Sequence, residues 1–366
     1  MHAHIRRVRA AALLLCGLWP LLACQRSGPA PTASPTTAST PSTTTPTGTL
    51  RLTGAGATFP YPLYAKWFYE YQRTHAGAQF NYQSIGSGGG IQQMTAKTVD
   101  FGASDAPMSD EQLAKSGRTI LHIPTVLGAV VAVYHVPNTP GRLQLTGALL
   151  SEIYLGHITQ WNDPALTALN PQLAGVTAAI MPVYRSDGSG TTHIFTEYLA
   201  KVSPAWQTNV GAGKAVQWPV GIGGKGNEGV TGLVKQTPGA LGYVELTYAK
   251  ENQLAYAAVQ NRLGQFVEPT TDSVTAAAAA SLGAIPADFR CSITDADGTT
   301  AYPISAFTYL LIDPTPADAA KAKALEGFIR WALGPGQELA PALHYAPLPN
   351  ALRERVLATL GQYTAR

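Results

Sequence analysis

The chain has 366 residues, 45% of them hydrophobic and 13% charged, a balance that suits a folded body of about two ordinary domains and excludes a chain disordered throughout. Its formal charge of +3 reflects 25 basic against 22 acidic residues. Arg6, Arg7 and Arg9 account for that excess, so the remainder is balanced and gives no electrostatic reason to expect a nucleic-acid partner.

The first 24 residues read as a signal peptide. Met1-His2-Ala3-His4-Ile5-Arg6-Arg7-Val8-Arg9 is basic, residues 10–23 are largely apolar, and Leu21-Leu22-Ala23 ends the run just before Cys24. The apolar run is too short to span a membrane. Its end resembles a bacterial lipoprotein cleavage box, so Cys24 is expected to become a lipidated N-terminus; the other reading is a plain secretory signal with an incidental cysteine. Residues 25–48 are almost entirely Ser, Thr, Pro and Ala and hold too little apolar surface to fold. They are expected to form a disordered tether that reaches on the order of 70 Å if polyproline-like. Cys16 would leave with the signal and Cys24 would carry lipid. Cys291 then has no disulfide partner and reads as a small buried residue rather than a nucleophile.

The folded part begins at Thr49. Thr49-Leu50-Arg51-Leu52-Thr53-Gly54 predicts a strand entering a glycine turn, and Pro60 and Pro62 suit the first turn of a helix that carries Tyr64, Trp67, Phe68 and Tyr71. Phe80-Asn81-Tyr82-Gln83-Ser84-Ile85 predicts a second strand, residues 86–90 a glycine loop, and Ile91, Met94 and Thr95 the start of a helix. Val99-Asp100-Phe101-Gly102-Ala103-Ser104 is a third strand, delivering Asp105 at its carboxyl end. The Val-rich run 123–136 suits a buried crossing strand. Helices are expected over 149–154, 164–169 and 191–201, the last with Ile194, Phe195, Tyr198 and Leu199 on one face. Strands are expected over 179–184, 242–245 and 310–312, and closing helices over 319–333 and 348–360. Strands alternating with helices predict an α/β sheet whose ligand lies outside the carboxyl ends of the strands.

Three segments at such junctions combine hydroxyls with glycines: Gly56-Ala57-Thr58-Phe59-Pro60, Ile85-Gly86-Ser87-Gly88-Gly89-Gly90 and Arg185-Ser186-Asp187-Gly188-Ser189-Gly190-Thr191. A helix start exposes unpaired N–H groups at the positive end of its dipole, and glycine lets an anion approach them. For a small tetrahedral oxyanion, the N–H groups of Phe59, Ser87, Gly190 and Thr191 and the hydroxyls of Thr58, Ser87, Ser189 and Thr191 are candidate donors. Arg185 could add a planar bidentate partner, with Asp187 holding its guanidinium. Asp105 would repel a fully ionised anion but accept a hydrogen from one that keeps a proton, as phosphate does near neutral pH and sulfate does not. Each feature also has a plainer use: glycine loops as turns, Arg185 and Asp187 as an exposed ion pair, and Asp105 as the cap of a helix over 107–113.

The chain carries no His-Glu-x-x-His, Gly-x-Ser-x-Gly or Gly-Lys-Ser/Thr motif. Gly223-Gly224-Lys225-Gly226-Asn227-Glu228-Gly229 lacks the hydroxyl that a phosphate-binding loop needs after its lysine. Nor do His75, His122, His135, His157, His193 and His344 show a paired metal spacing. The reading is therefore of a binder rather than an enzyme, with no cofactor or metal.

Gly54-Ala55-Gly56-Ala57-Thr58-Phe59-Pro60, Asp100-Phe101-Gly102-Ala103-Ser104-Asp105-Ala106-Pro107, Ile153-Tyr154-Leu155-Gly156, Asp187-Gly188-Ser189-Gly190-Thr191 and Gly242-Tyr243-Val244-Glu245 together resemble the periplasmic phosphate-binding protein of bacterial high-affinity ABC-type phosphate importers. The similarity runs from about Leu52 to near the C-terminus. It implies a two-domain periplasmic-binding-protein fold of the venus-flytrap kind, with chain crossings near Val133 and Ser305. Lobe one would hold 49–133 plus 306–366, and lobe two 134–305. By the same resemblance inorganic phosphate would meet Thr58, Phe59, Ser87, Asp105, Arg185, Ser189, Gly190 and Thr191, with Asp187 behind Arg185. The closed form would dock on permease subunits in the inner membrane, the protein itself being periplasmic and anchored through Cys24. Two positions depart from the family pattern: Gly88, where a second serine is expected, and Tyr184, where a basic residue is frequent. The alternative function is a surface or periplasmic lipoprotein with a phosphatase or phosphate-sensing role.

Overall fold

Residues 49–136 and 141–364 are described by the structure, a computed structural model; Cys24 and the expected signal peptide and tether fall outside them. Twelve strands lie in the described residues: β1 (Leu50–Gly56), β2 (Ala78–Ser84), β3 (Phe101–Ser104), β4 (Leu121–Tyr134), β5 (Gln144–Leu145), β6 (Met181–Arg185), β7 (Ile222–Gly224), β8 (Ala240–Glu245), β9 (Ala255–Tyr256), β10 (Ala258–Gln260), β11 (Phe266–Val267) and β12 (Ser305–Ile312). Eight of them run in the order β2-β1-β3-β12-β4-β8-β6-β7, with β9 also on β4, while β11, β10 and β5 form a small separate sheet.

The main sheet is mixed. β1 pairs in parallel with β2 and β3, and β6 in parallel with β8 and β7, whereas β12 and β4 run antiparallel to their neighbours. β4 is the joint between the two sets: it pairs with β12 as far as Ala129 and with β8 from Val130 onward. The second passage of the chain lies alongside, where Val130 N–H donates to Ile304 O at 2.9 Å and β12 begins at Ser305. All fourteen residues of β4 except Leu121 are buried, which is what a Val-rich run covered on both faces demands.

Each half has its own aromatic packing. The helix Tyr61–Thr74 has Pro60 at its N-cap and buries Leu63, Tyr64, Trp67, Phe68 and Tyr71. Each such side chain contributes roughly 2 kcal/mol through apolar burial. Trp67 Nε1 donates to Gly336 O at 2.7 Å, tying the C-terminal segment back to this first helix. In the other half the helix Gly190–Val202 buries Ile194, Phe195, Tyr198 and Leu199, and Phe195 stacks on Tyr243 of β8 with ring centres 4.3 Å apart.

The structure departs from the sequence reading at several places. The helix expected from Ile91 begins at Ser87 and takes Gly88, Gly89 and Gly90 into its first turn; glycine's poor helix propensity disguises them as loop. The helices Gly226–Gln236 and Thr271–Ser281 have no counterpart in that reading, the first because Gly226, Gly229 and Gly232 dilute its apolar face. The stretch 164–169 holds only one helical turn, Pro164–Thr167. Asp105 caps nothing: the helix Asp110–Ser116 is capped by Ser109, which accepts from Gln112 N–H at 3.2 Å. Among the described residues no helix is long and apolar enough to cross a membrane.

Candidate functional site

The parallel strands all end on one cleft. Thr58 and Phe59 follow β1, Ser87 follows β2, Asp105 follows β3, Arg185 ends β6, and Ser189, Gly190 and Thr191 open the helix after it. Gly86, at φ +85°, turns the chain so that Ser87 becomes the first residue of its helix. A side chain there would collide with Asp187, so the two sides of the cleft approach through glycine. Gly88 N–H donates to Gly188 O at 2.8 Å, and Lys214 Nζ to Pro107 O at 3.0 Å. The halves therefore meet across the cleft.

The predicted residues form one linked cluster. Ser87 Oγ accepts from Asp105 N–H at 3.2 Å and lies 3.3 Å from Asp105 Oδ2, to which it donates. A Cβ built on Gly190 would sit 2.6 Å from Asp105 Oδ2 and also against Ser87 Oγ, which places the helix start of one half directly on the acid of the other. Arg185 donates from Nε to Asp187 Oδ1 at 2.7 Å and from Nη2 to Asp187 Oδ2 at 2.6 Å, while Nη1 reaches Thr191 Oγ1 at 3.4 Å. This is not the exposed ion pair of the plainer reading: its side chains are 1% and 13% exposed. The N–H groups of Ser87, Gly190 and Thr191 belong to the first turns of their helices and have no intrahelical carbonyl to bond. Ser189 caps its helix by accepting from Thr192 N–H at 3.0 Å and keeps its own hydrogen to give.

Electrostatics make Asp105 distinctive. It is buried, and burial pushes its carboxyl up to about 7 against the opposing pull of the Thr308 hydroxyl, Arg185, Ser87 and Lys214. Asp187 behaves oppositely: burial would raise it, but its hydrogen bonds to Arg185 and the guanidinium charge hold it below the usual value. Lys214 is driven down to about 8 by burial, with Asp105 pulling it back up. The cleft thus holds Arg185 neutralised by its own acid, a set of neutral donors, one carboxyl that titrates near 7, and the Lys214 ammonium facing that carboxyl.

Five further residues contact the candidate residues, and the sequence reading did not select them. Thr308 Oγ1 donates to Asp105 Oδ1 at 2.8 Å from mid-strand β12, where the register shifts between Thr308 and Tyr309. Asn227 donates to Thr58 Oγ1 from N at 3.2 Å and from Nδ2 at 2.7 Å. Tyr248 OH donates to Thr58 O at 2.6 Å, Tyr345 OH donates to Phe59 O at 2.6 Å, and Lys214 faces Asp105. Only Asn227 left a signal, in the glycine-rich segment set aside for want of a hydroxyl after Lys225.

Other sequence candidates lie elsewhere. Cys291 is free and half-buried, with burial pushing its thiol up to about 11, so it stays protonated. His122 accepts from Met108 N–H at 3.0 Å, a packing role. No group of three or more His, Cys, Asp or Glu able to hold a metal occurs among the described residues.

Comparison with known proteins places this geometry in context. A family model described as a PBP superfamily domain matches residues 31–335. The "Phosphate-binding protein PstS" of Xylella fastidiosa is 44% identical over 348 residues, covering 95% of this chain and 94% of its own. The protein of the same name from Haemophilus influenzae is 48% identical over 299 residues, covering 81% and 89%. Among solved structures, a phosphate binding protein from Stenotrophomonas maltophilia superposes with a TM-score of 0.65 at 21% identity, covering 84% of this chain and 93% of that one.

Proposed function

Because the chain belongs to the PBP superfamily and, within it, to the family of the phosphate-binding protein PstS, we propose that it captures inorganic phosphate in this cleft and delivers it to the permease of an ABC importer. It is a binding protein, not an enzyme. The two-lobed fold turns on β4 and on the start of β12, and we take lobe one as 49–133 with 306–366 and lobe two as 134–305. In this reading Thr58, Phe59, Ser87 and Asp105 of lobe one and Arg185, Ser189, Gly190 and Thr191 of lobe two close on the anion. Residues 1–24 direct export to the periplasm, Cys24 carries the lipid, and residues 25–48 are the tether that lets the lobes reach the permease.

The observation that carries the reading is the acid among the donors. Asp105 is buried beside Ser87 and Gly190, where an ionised carboxylate would oppose any anion unable to give it a hydrogen. Phosphate supplies that hydrogen and still offers bare oxygens to the surrounding N–H and O–H groups, whose charge-assisted bonds are the strong ones. The lobes' approach is what buries the ligand, so binding and closure are one equilibrium. Titration calorimetry of the purified chain with phosphate, arsenate and sulfate at pH 8 tests it. Phosphate and arsenate should compete for one site while sulfate binds far more weakly; equal binding of all three, or none, would sink the proposal.

A further inference from the structure

We infer that Asn227 is a positioning residue that turns the hydroxyls of Thr58 and Thr191 into obligate hydrogen donors toward the bound anion; the inference rests on the phosphate reading above. The amide's orientation is set by a group that can only donate. Glu245 N–H points at one amide atom of Asn227 from 3.0 Å, so that atom is the oxygen, Oδ1, and the nitrogen faces the cleft. There Nδ2 donates to Thr58 Oγ1 at 2.7 Å and to Thr191 Oγ1 at 3.2 Å.

A hydroxyl has one hydrogen and two lone pairs. Thr58 Oγ1 accepts from both Asn227 N and Asn227 Nδ2, and Thr191 Oγ1 accepts from both Asn227 Nδ2 and Arg185 Nη1. With the lone pairs of both oxygens engaged, the only bond either hydroxyl has left to make is donation. Ser87 and Ser189 are different, since each has a single N–H donor on its oxygen and keeps a lone pair that could receive a ligand hydrogen. The cleft is therefore divided by polarity: Thr58 and Thr191 demand bare oxygens, and Asp105 demands the protonated one.

Asn227 is placed to impose this division. It is fully buried, it is the second residue of the helix Gly226–Gln236, and the entry to that helix is held by Asp187 Oδ1, which accepts Gly226 N–H at 3.0 Å. The residue that orients Arg185 also seats the segment that orients the two threonines. Because Thr58 belongs to the opposite side of the cleft, its bond to Asn227 exists only when the halves meet, so hydroxyl direction is fixed at the moment of closure.

The test is a mutant cycle read by phosphate calorimetry on the full mature chain. Asn227→Ala should weaken phosphate on the order of tenfold, as freed hydroxyls lose their imposed direction. Asn227→Asp, which replaces the donor by an acceptor and adds charge, should weaken it roughly 100-fold or more. The decisive arm repeats Asn227→Ala on Thr58→Val and on Thr191→Val backgrounds, where its cost should shrink at least about threefold because one hydroxyl it orients is gone. A residue that merely supports the fold would cost the same factor on every background, and that result, or an unaltered affinity in Asn227→Ala, would overturn the inference. Failure of the unaltered chain to bind phosphate is a separate outcome that would sink the phosphate reading and this inference with it.

Discussion

In the proposed reading, selectivity and proton balance meet at Asp105. Its carboxyl sits near 7 instead of the ordinary 3.8 because burial outweighs the help of Thr308, Arg185, Ser87 and Lys214. Above that value it is ionised and can only accept; below it, the protonated acid can give a hydrogen to a fully ionised guest. The preference for phosphate over sulfate should therefore be largest at pH 8 and shrink about tenfold or more by pH 5. Asp105→Asn, which offers a donor at every pH, should admit sulfate throughout. Competition calorimetry at the two pH values decides this, and a preference independent of pH in the unaltered protein would count against the gatekeeper role. The acid and the three donor segments could be read from sequence because strand–glycine–hydroxyl junctions are local patterns. Thr308, Tyr248 and Tyr345 could not, since each reaches the cleft from 190 or more residues away along the chain.

At the scale of elements, the cleft depends on helix starts that carry no side chain where the halves touch. Gly190 is the first residue of the helix Gly190–Val202, and a methyl there would strike Asp105 Oδ2 and Ser87 Oγ across the cleft while leaving its own helix undisturbed. Alanine is, if anything, the better helix former. Gly190→Ala should weaken phosphate by roughly 10- to 100-fold through overpacking of the closed state. The unfolding midpoint of the empty protein should stay within error. An unchanged affinity would mean that the halves do not close on Ser87 and Asp105. The elements legible in sequence were those with a continuous apolar face, such as β4 and the helices Tyr61–Thr74 and Gly190–Val202. The first turn of Ser87–Thr95 and the whole of Gly226–Gln236 were not, and for one reason: both are rich in the glycines that close backbone approach requires, and glycine erases the periodic signal by which helices are recognised. Asn227 was lost with the second of them.

Over the whole molecule, closure must be accommodated where the two strand sets join. β4 changes partner between Ala129 and Val130, and the return passage at Ile304 and Ser305 is hydrogen-bonded directly beside it, so bending at one place involves the other. Hydrogen bonds across the cleft, among them Gly88 to Gly188, Lys214 to Pro107, and Asn227 and Tyr248 to Thr58, join polar groups that water can satisfy when the halves part. In the proposed reading, an anion bridging Asp105, Arg185 and the helix starts would add the bonds that shift the balance. Small-angle scattering should thus give a smaller radius of gyration with phosphate than without it, and Gly190→Ala should need roughly 10- to 100-fold more phosphate for the same contraction. Phosphate at about 100 times its dissociation constant should also add about 2.7 kcal/mol to the unfolding free energy, since it binds the folded form alone. Contraction without stabilisation would mean that phosphate acts away from the cleft. Stabilisation without contraction would mean that the halves are already closed before the anion arrives, and that the permease must read something other than lobe movement.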